Sequence, residues 1–405
     1  MKVCLDTTPV TQQPSGVGLY ILNLIDQLAQ QQVRKDLELH LIYQPQLINW
    51  LKGTWQFPSQ LQRYDRKQVL PVPVRLLNLL IRLSPVLTGE LLTRYLESVD
   101  IVHGTGYSVY PSGRGARVMT VYDVSFALYP EYATSVSRSY YSAVKRCLQW
   151  TDLVITISES SKQDIMNCFQ IPAERVWVTP LASRYPILPS NSDEVEQDES
   201  RQFGGVPKAF LSGLNRHAAS PNLKLDRPYL LFVGTLEPRK NITAIIQAFD
   251  QLKSGYGVDH QLLLVGRRGW LYEPIFAAIQ QSSYRDYIHQ LDYVAELFMS
   301  ALYQNATAFV YPSYYEGFGL PVLESMSLGC PVVSSNASSI PEVAGDAAIL
   351  VPPDDVDALA DALYRLIESP SLRRHYVRAG YEQVRKFSWA KTAQSTIAAY
   401  CSLMP

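Results

Sequence analysis

Residues 314–325 read YYEGFGLPVLES, with AFVYPS before them (308–313) and MSLGC after (326–330). AFVYPS is apolar and short, as a strand buried on both faces would be. VLESMSLGC reads as a helix starting near Leu320. The corner between them carries Glu316, the step Gly317-Phe318-Gly319 and, eight residues after the first glutamate, Glu324. Glycines let a backbone approach a ligand closely and present N–H groups to it. A helix N-terminus favours an anion. A phosphate therefore suits the glycines but not a neighbouring carboxylate, so the glutamates suit hydroxyls. One ligand with both features is a nucleoside diphosphate sugar. Its diphosphate would lie over the glycines, with a ribose diol near one glutamate and sugar hydroxyls near the other.

Similar units repeat on either side. YLLFVG (229–234), QLLLVG (261–266), PVVSS (331–335) and AAILVPP (347–353) read as strands with helices between them. The first half has the same rhythm, with strands at MKVCLD (1–6), LELHLIY (37–43), DIVHG (100–104), ARVMTVYD (116–123), DLVITIS (152–158) and RVWVTPL (175–181). GLYILNLIDQLAQQ (18–31), SRSYYSAVKRCLQW (137–150) and SESSKQDIMNCF (158–169) read as helices, the last with Ser158 as its N-cap. From about Tyr185 to Asp226 the rhythm stops, and PSNSDEVEQDESRQFGG (189–205) is polar and acidic. The fold class is α/β, with two Rossmann-like, doubly wound domains. Their expected bounds are 1–185, a linker or insert at 186–226, and 227–387, followed by a helix at 388–405.

Composition sets outer limits. The chain has 405 residues, 47% of them apolar, enough for two cores. A formal net charge of −1 offers no electrostatic case for nucleic acid. Five scattered cysteines with no C-x-x-C pair point to a reducing compartment, so a cytoplasmic location is expected. No run reaches ~18 apolar residues, so no spanning helix is expected. VRLLNLLIRLSPVL (74–87) is strongly apolar with Arg75 and Arg82 set in it. It reads either as a buried helix with snorkelling arginines or as a peripheral contact with the inner face of a membrane.

Three further stretches bear on chemistry. LFVGTLEPRKN (231–241) ends a strand at Gly234 and places Arg239-Lys240 before a helix. Open α/β sheets bind ligands at the carboxyl ends of their strands, where a cation pair suits a diphosphate. LLLVGRRGW (262–270) repeats the plan with Gly266, Arg267 and Arg268. QPSGVGLYILNLIDQL (13–28) starts a helix at Gly16 and Gly18 but lacks the third glycine and the tight spacing of a dinucleotide fingerprint. Asp355-Val356-Asp357 has the D-x-D spacing of some metal–nucleotide sites, yet it opens an amphipathic helix, and capping explains it.

EPRKN (237–241), VGRRGW (265–270), the run 296–355 and FSW (387–389) with Tyr400 resemble the retaining glycosyltransferases of family 4, densely from Tyr229 to Tyr400. PSGVGLY, TVYDVSF and VITISESSKQDI fit more loosely in the first half. The resemblance implies the GT-B fold, two Rossmann-like domains facing across a cleft, with the last helix crossing back to the first domain. It implies that Glu316 holds the donor sugar, Glu324 the ribose, and Arg239 and Lys240 the leaving diphosphate. The backbone at Phe318, Gly319 and Leu320 would contact diphosphate and sugar. Gly16 and Gly18 would close over the diphosphate, and Gly234 would line the donor site. Arg267 and Val294 would border the base. Many relatives carry His-Asp where Tyr122-Asp123 stands; Asp123 is retained as a substrate-binding residue, whereas the histidine is replaced, and His103 is the alternative.

The expected activity is metal-independent transfer of a hexose, with retention, in polysaccharide or glycan biosynthesis. The donor would be a nucleotide sugar, UDP-glucose before GDP-mannose because it is commoner among similar enzymes. The acceptor would be a saccharide or lipid-linked saccharide. No cofactor is expected. A nucleotide-sugar epimerase and a nucleotide-sugar sensor are the alternatives.

Overall fold

A computed structural model describes residues 1–187 and 227–404, except 13, 15, 36, 54, 97, 98, 112–114 and 293. The linker expected at 186–226 therefore lies almost wholly outside the described residues. The chain divides into two compact units, Met1–Leu181 with Trp389–Pro405, and Ala182–Ser388.

The first unit holds a seven-stranded parallel sheet in the order β3-β2-β1-β4-β5-β6-β7. The strands are β1 (Lys2–Asp6), β2 (Glu38–Tyr43), β3 (Lys67–Val69), β4 (Ile101–Gly104), β5 (Ala116–Thr120), β6 (Leu153–Thr156) and β7 (Val176–Val178). β4 and β6 are buried throughout, which is why they read as unbroken apolar runs. Helix starts follow local chemistry: Ser158 accepts from the Ser161 N–H at 3.0 Å, and Thr134 from the Ser137 N–H at 3.0 Å. The helix Trp389–Cys401 belongs to this unit. Its Thr392 hydroxyl donates to the Pro180 carbonyl at 2.6 Å, and its Ser395 hydroxyl accepts from the Trp177 indole at 3.0 Å.

The second unit holds a six-stranded parallel sheet in the order β10-β9-β8-β11-β12-β13. These strands are β8 (Tyr229–Val233), β9 (Gln261–Val265), β10 (Ile288–Leu291), β11 (Ala308–Tyr311), β12 (Val332–Ser335) and β13 (Ile349–Val351). From β8 the chain builds outward through β9 and β10, then returns to lay β11 on the other side of β8. The order reverses between β8 and β11, and open α/β sheets bind ligands at the carboxyl ends of their strands beside such a reversal. LFVGTLEPRKN and YYEGFGLPVLES supply the loops after these two strands.

The apolar stretch 74–87 is not one helix. Ser84 ends Val74–Leu83 and caps Pro85–Tyr95, with Pro85 at a position that needs no N–H. Leu77, Ile81 and Leu92 face the core, whereas Leu83 is 74% exposed and Val86 70%. The buried-helix reading accounts for only one face.

Candidate active site

At the carboxyl ends of β8 and β11 the chain assembles four charged side chains. Lys240 donates to the Glu316 carboxylate at 2.6 Å and to the Tyr311 hydroxyl at 2.5 Å. Arg239 lies 3.2 Å from the other oxygen of Glu316, donates to Glu237 at 2.6 Å and to the Tyr315 carbonyl at 2.5 Å. Glu237, Lys240 and Glu316 are all buried. Two carboxylates balance two cations, which is how charges survive away from water.

The backbone fixes this cluster. Glu237, Pro238 and the two cations form a single helical turn that ends at Asn241, whose φ is +53°. The Asn241 amide donates to the Pro312 carbonyl at 3.2 Å and to the Pro353 carbonyl at 2.7 Å, tying the β8 loop to the segments that follow β11 and β13. On the other side, the Glu316 N–H donates to the Ser338 hydroxyl at 2.8 Å, and the Ser339 hydroxyl donates to the Glu316 carbonyl at 2.8 Å.

The titration of the cluster follows. Burial alone would raise the Glu316 carboxyl, but Lys240 and Arg239 outweigh it and bring it down to about 2. Burial lowers Lys240 from its ordinary value, and Glu316 opposes that shift. Tyr311 and Glu316 take two of the three Lys240 N–H groups.

Gly319 caps the helix Leu320–Ser327 with φ +98°, and a Cβ there would stand 2.6 Å from the Ile340 Cδ1. The Phe318 side chain is core, packed edge-on against Phe387 at 5.7 Å, so only its backbone can face a ligand. Gly234 sits beside Lys240, the lysine Cε lying 3.9 Å from where its Cβ would be. A Cβ on Gly266 would stand 1.9 Å from the Gly234 carbonyl, so the loops after β8 and β9 touch backbone to backbone. They continue as a short ladder, with the Leu236 N–H donating to the Arg267 carbonyl at 2.9 Å and the Gly269 N–H to the Leu236 carbonyl at 3.0 Å. The Arg267 side chain is exposed and Val294 is buried.

Glu324 is not part of the four-charge cluster. It is buried and paired with Arg184, whose Nε lies 2.8 Å from its Oε1. Asp355 caps its helix, accepting from the Ala358 N–H at 2.8 Å, and Asp357 accepts from Gln251 at 2.8 Å.

Gly16, Gly18 and Asp123 lie in the other unit. Gly16 begins the helix Gly16–Lys35 and is exposed; Gly18 is buried, and a Cβ on it would stand 2.9 Å from Pro14. Asp123 accepts from the Ser125 N–H at 2.9 Å and its hydroxyl at 2.8 Å. His103 is fully buried, with Nδ1 at 2.6 Å from the Tyr400 hydroxyl and Nε2 at 2.7 Å from the Thr120 hydroxyl. Burial brings its pKa down to about 3, so it is a neutral structural group. Tyr122 is also buried and donates to the Thr105 carbonyl at 2.7 Å.

Glu237 and Arg184 did not stand out in the sequence. Glu237 was legible as part of EPRKN but had no charge partner to single it out. Arg184 sits where the strand pattern had already ended, 140 residues from Glu324, and no spacing rule reaches that far.

Known proteins resemble this chain over both units. Residues 14–182 match the description "Glycosyltransferase Family 4" and residues 215–383 match "Glycosyl transferases group 1". The chain is 31% identical over 406 residues to the O-antigen chain mannosyltransferase B of Escherichia coli, covering 99% of each chain. It is 32% identical over 230 residues to a phosphatidyl-myo-inositol mannosyltransferase of Mycobacterium leprae, covering 56% of this chain and 58% of the relative. Among solved structures, a sucrose-phosphate synthase from Thermosynechococcus elongatus superposes with a TM-score of 0.68 at 19% identity, covering 99% of this chain and 98% of its own. Anabaena HepE in complex with UDP and glucose superposes with a TM-score of 0.67 at 17% identity, covering 99% of each chain. The fold is GT-B.

Proposed function

Starting from the fact that this chain belongs to the family 4 glycosyltransferases and is a hexosyltransferase, we propose that it transfers mannose from GDP-mannose to a hydroxyl of a growing, lipid-linked saccharide, with retention and without a metal ion. The observation that carries the sugar is the end-to-end likeness to an O-antigen chain mannosyltransferase. UDP-glucose, the donor favoured by frequency alone, is the competing choice. Of the carboxylates suited to the guanine N1–H and amine, Glu296 lies 3.7 Å from Arg184, whereas Asp292 at the end of β10 is exposed.

The four-charge cluster supports a division of labour. Glu316 accepts from sugar hydroxyls while its own charge holds Lys240 and Arg239 in place. The remaining Lys240 N–H, together with backbone N–H groups at Gly319 and Leu320, meets the diphosphate. Charge grows on that diphosphate as the glycosidic bond breaks, and fixed donors in a dry site stabilise it most at that moment. The acceptor attacks from the face the leaving group departs, and a leaving phosphate oxygen takes its proton, so no separate base is required. These cations do the work a divalent ion does elsewhere.

The test is incubation of purified protein with GDP-mannose or UDP-glucose and mannose-terminated oligosaccharides, with and without EDTA. An α-mannosyl product by NMR, formed equally in EDTA, is expected. Transfer from UDP-glucose alone overturns the donor, a β-linked product overturns retention, and an EDTA loss restored by Mn²⁺ overturns metal independence.

The apolar surface on Val74–Leu83 and Pro85–Tyr95 supports a membrane-borne acceptor. Leu79, Leu83, Val86, Leu87 and Leu91 are exposed beside Arg75, Arg82 and Arg94. Leucines seated among acyl chains with arginines at the headgroups suit an anionic leaflet. No helix among the described residues is long and apolar enough to cross a membrane. The protein should co-sediment with phosphatidylglycerol vesicles, and Leu83→Glu with Leu87→Glu should abolish this without changing transfer to soluble acceptors. Equal sedimentation of the variant would refute the contact.

A further inference from the structure

We infer that Arg184 is a positioning residue for the donor's ribose, acting through Glu324 rather than on the reacting atoms. The inference rests on the assignment of Glu324 to the ribose. Arg184 lies just after the first residues of its unit, which begins at Ala182. Its guanidinium leans over the Tyr185 ring at 5.0 Å and reaches Glu324 with two nitrogens, Nε at 2.8 Å from Oε1 and Nη2 at 3.4 Å from Oε2. The Glu324 side chain is 4% exposed and that of Arg184 25%, so the arginine is the more accessible member of the pair.

The surroundings of Glu324 leave this role to Arg184. The helix Glu296–Asn305 contributes Glu296, which repels it, and the Tyr303 hydroxyl, which favours the anion. Tyr185 carries no charge at neutral pH, its hydroxyl held above the usual range chiefly by burial. Arg184 is the cation facing Glu324 among these groups. Burial raises the carboxyl to about 7 against the pull of Arg184. Without the arginine, burial and Glu296 act together and the neutral acid prevails. An ionised carboxylate accepts two hydroxyls at once, one on each oxygen, with lone pairs to spare for the arginine. A neutral acid has one oxygen that is a donor, and its bonds to a diol are weaker.

The experiment is calorimetric binding of GDP-mannose, without acceptor, from pH 6 to 8.5. Wild-type affinity should climb about tenfold between pH 6 and pH 8, as a group titrating near 7 ionises. Arg184→Gln should bind about tenfold more weakly at pH 7 and still be gaining affinity at pH 8.5. Arg184→Lys, which keeps the charge, should restore most of the loss and guards against a merely misfolded variant. Glu324→Gln should be flat across the range, and adding Arg184→Gln to it should change nothing further. An Arg184→Gln loss that is equal at every pH, or that persists in the Glu324→Gln background, overturns the inference. Wild-type affinity in Glu324→Gln overturns the ribose role of Glu324 instead.

Discussion

Lys240→Met is expected to lower kcat about 10²–10³-fold, the cost of removing one well-placed donor to developing charge, while donor KM moves by less than about threefold. The asymmetry follows from when the interaction matters. In the ground state the lysine shares its charge with Glu316 at 2.6 Å, so a bound diphosphate gains little from it. As the bond to the sugar breaks, the leaving oxygen becomes the stronger acceptor. On the proposed mechanism the third N–H would then meet more charge, and Lys240 is buried, where such charge is poorly screened. Steady-state kinetics on folded protein decides the matter. A large rise in KM at constant kcat would mean that Lys240 binds donor and transition state alike.

The same substitution should also be costly to the fold. Glu316 would keep Arg239 at 3.2 Å but lose its closest partner, and a buried charge deprived of a partner costs about 3–5 kcal/mol. For a unit of this size that is a fall of roughly 10 °C in melting temperature. Adding Glu316→Leu should recover most of it, since a packed apolar pair replaces a buried ionic one at little cost. Acid should separate the two effects. The Glu316 pKa falls from an ordinary 4.5 to about 2 in the folded protein. Its contribution is therefore complete above about pH 4.5 and is lost as pH falls toward 2. Melting temperatures at pH 7 and pH 3 should differ less in the double variant than in the wild type. An unchanged melting temperature in Lys240→Met would show that the pair contributes nothing to stability.

What could be read from the sequence, and what could not, follows from burial. The central strands β8, β9 and β11 are apolar because helices cover both faces, so AFVYPS and QLLLVG announce themselves. The two strands that escaped notice, KQV at β3 and IHQL at β10, each lie at a sheet edge. Edge strands keep polar groups, and β3 is largely exposed. The helix break at Ser84-Pro85 was spelled out in ordinary capping terms but hidden by the leucines on either side. At the site, the glycine corner and the cation pair were legible as types facing a type of ligand. Their mutual arrangement was not. Cations and glutamate were expected to face separate parts of a donor, and instead they hold one another. Pairing of Glu324 with Arg184 is a long-range fact of folding, invisible to any local pattern.

The helix Trp389–Cys401 sets the order in which this molecule can be finished. His103 has a ring nitrogen bound to the Tyr400 hydroxyl, 297 residues away. Until the ribosome has made that tyrosine, the unit begun first lacks a helix, and a histidine meant for its interior has no partner on one side. The whole of Ala182–Ser388 is synthesised in the interval and can close on itself. The unit started first is thus completed second. A released chain truncated near residue 388 would carry the whole second unit and a first unit without the helix that His103 bonds, the form that quality-control proteases and chaperones select.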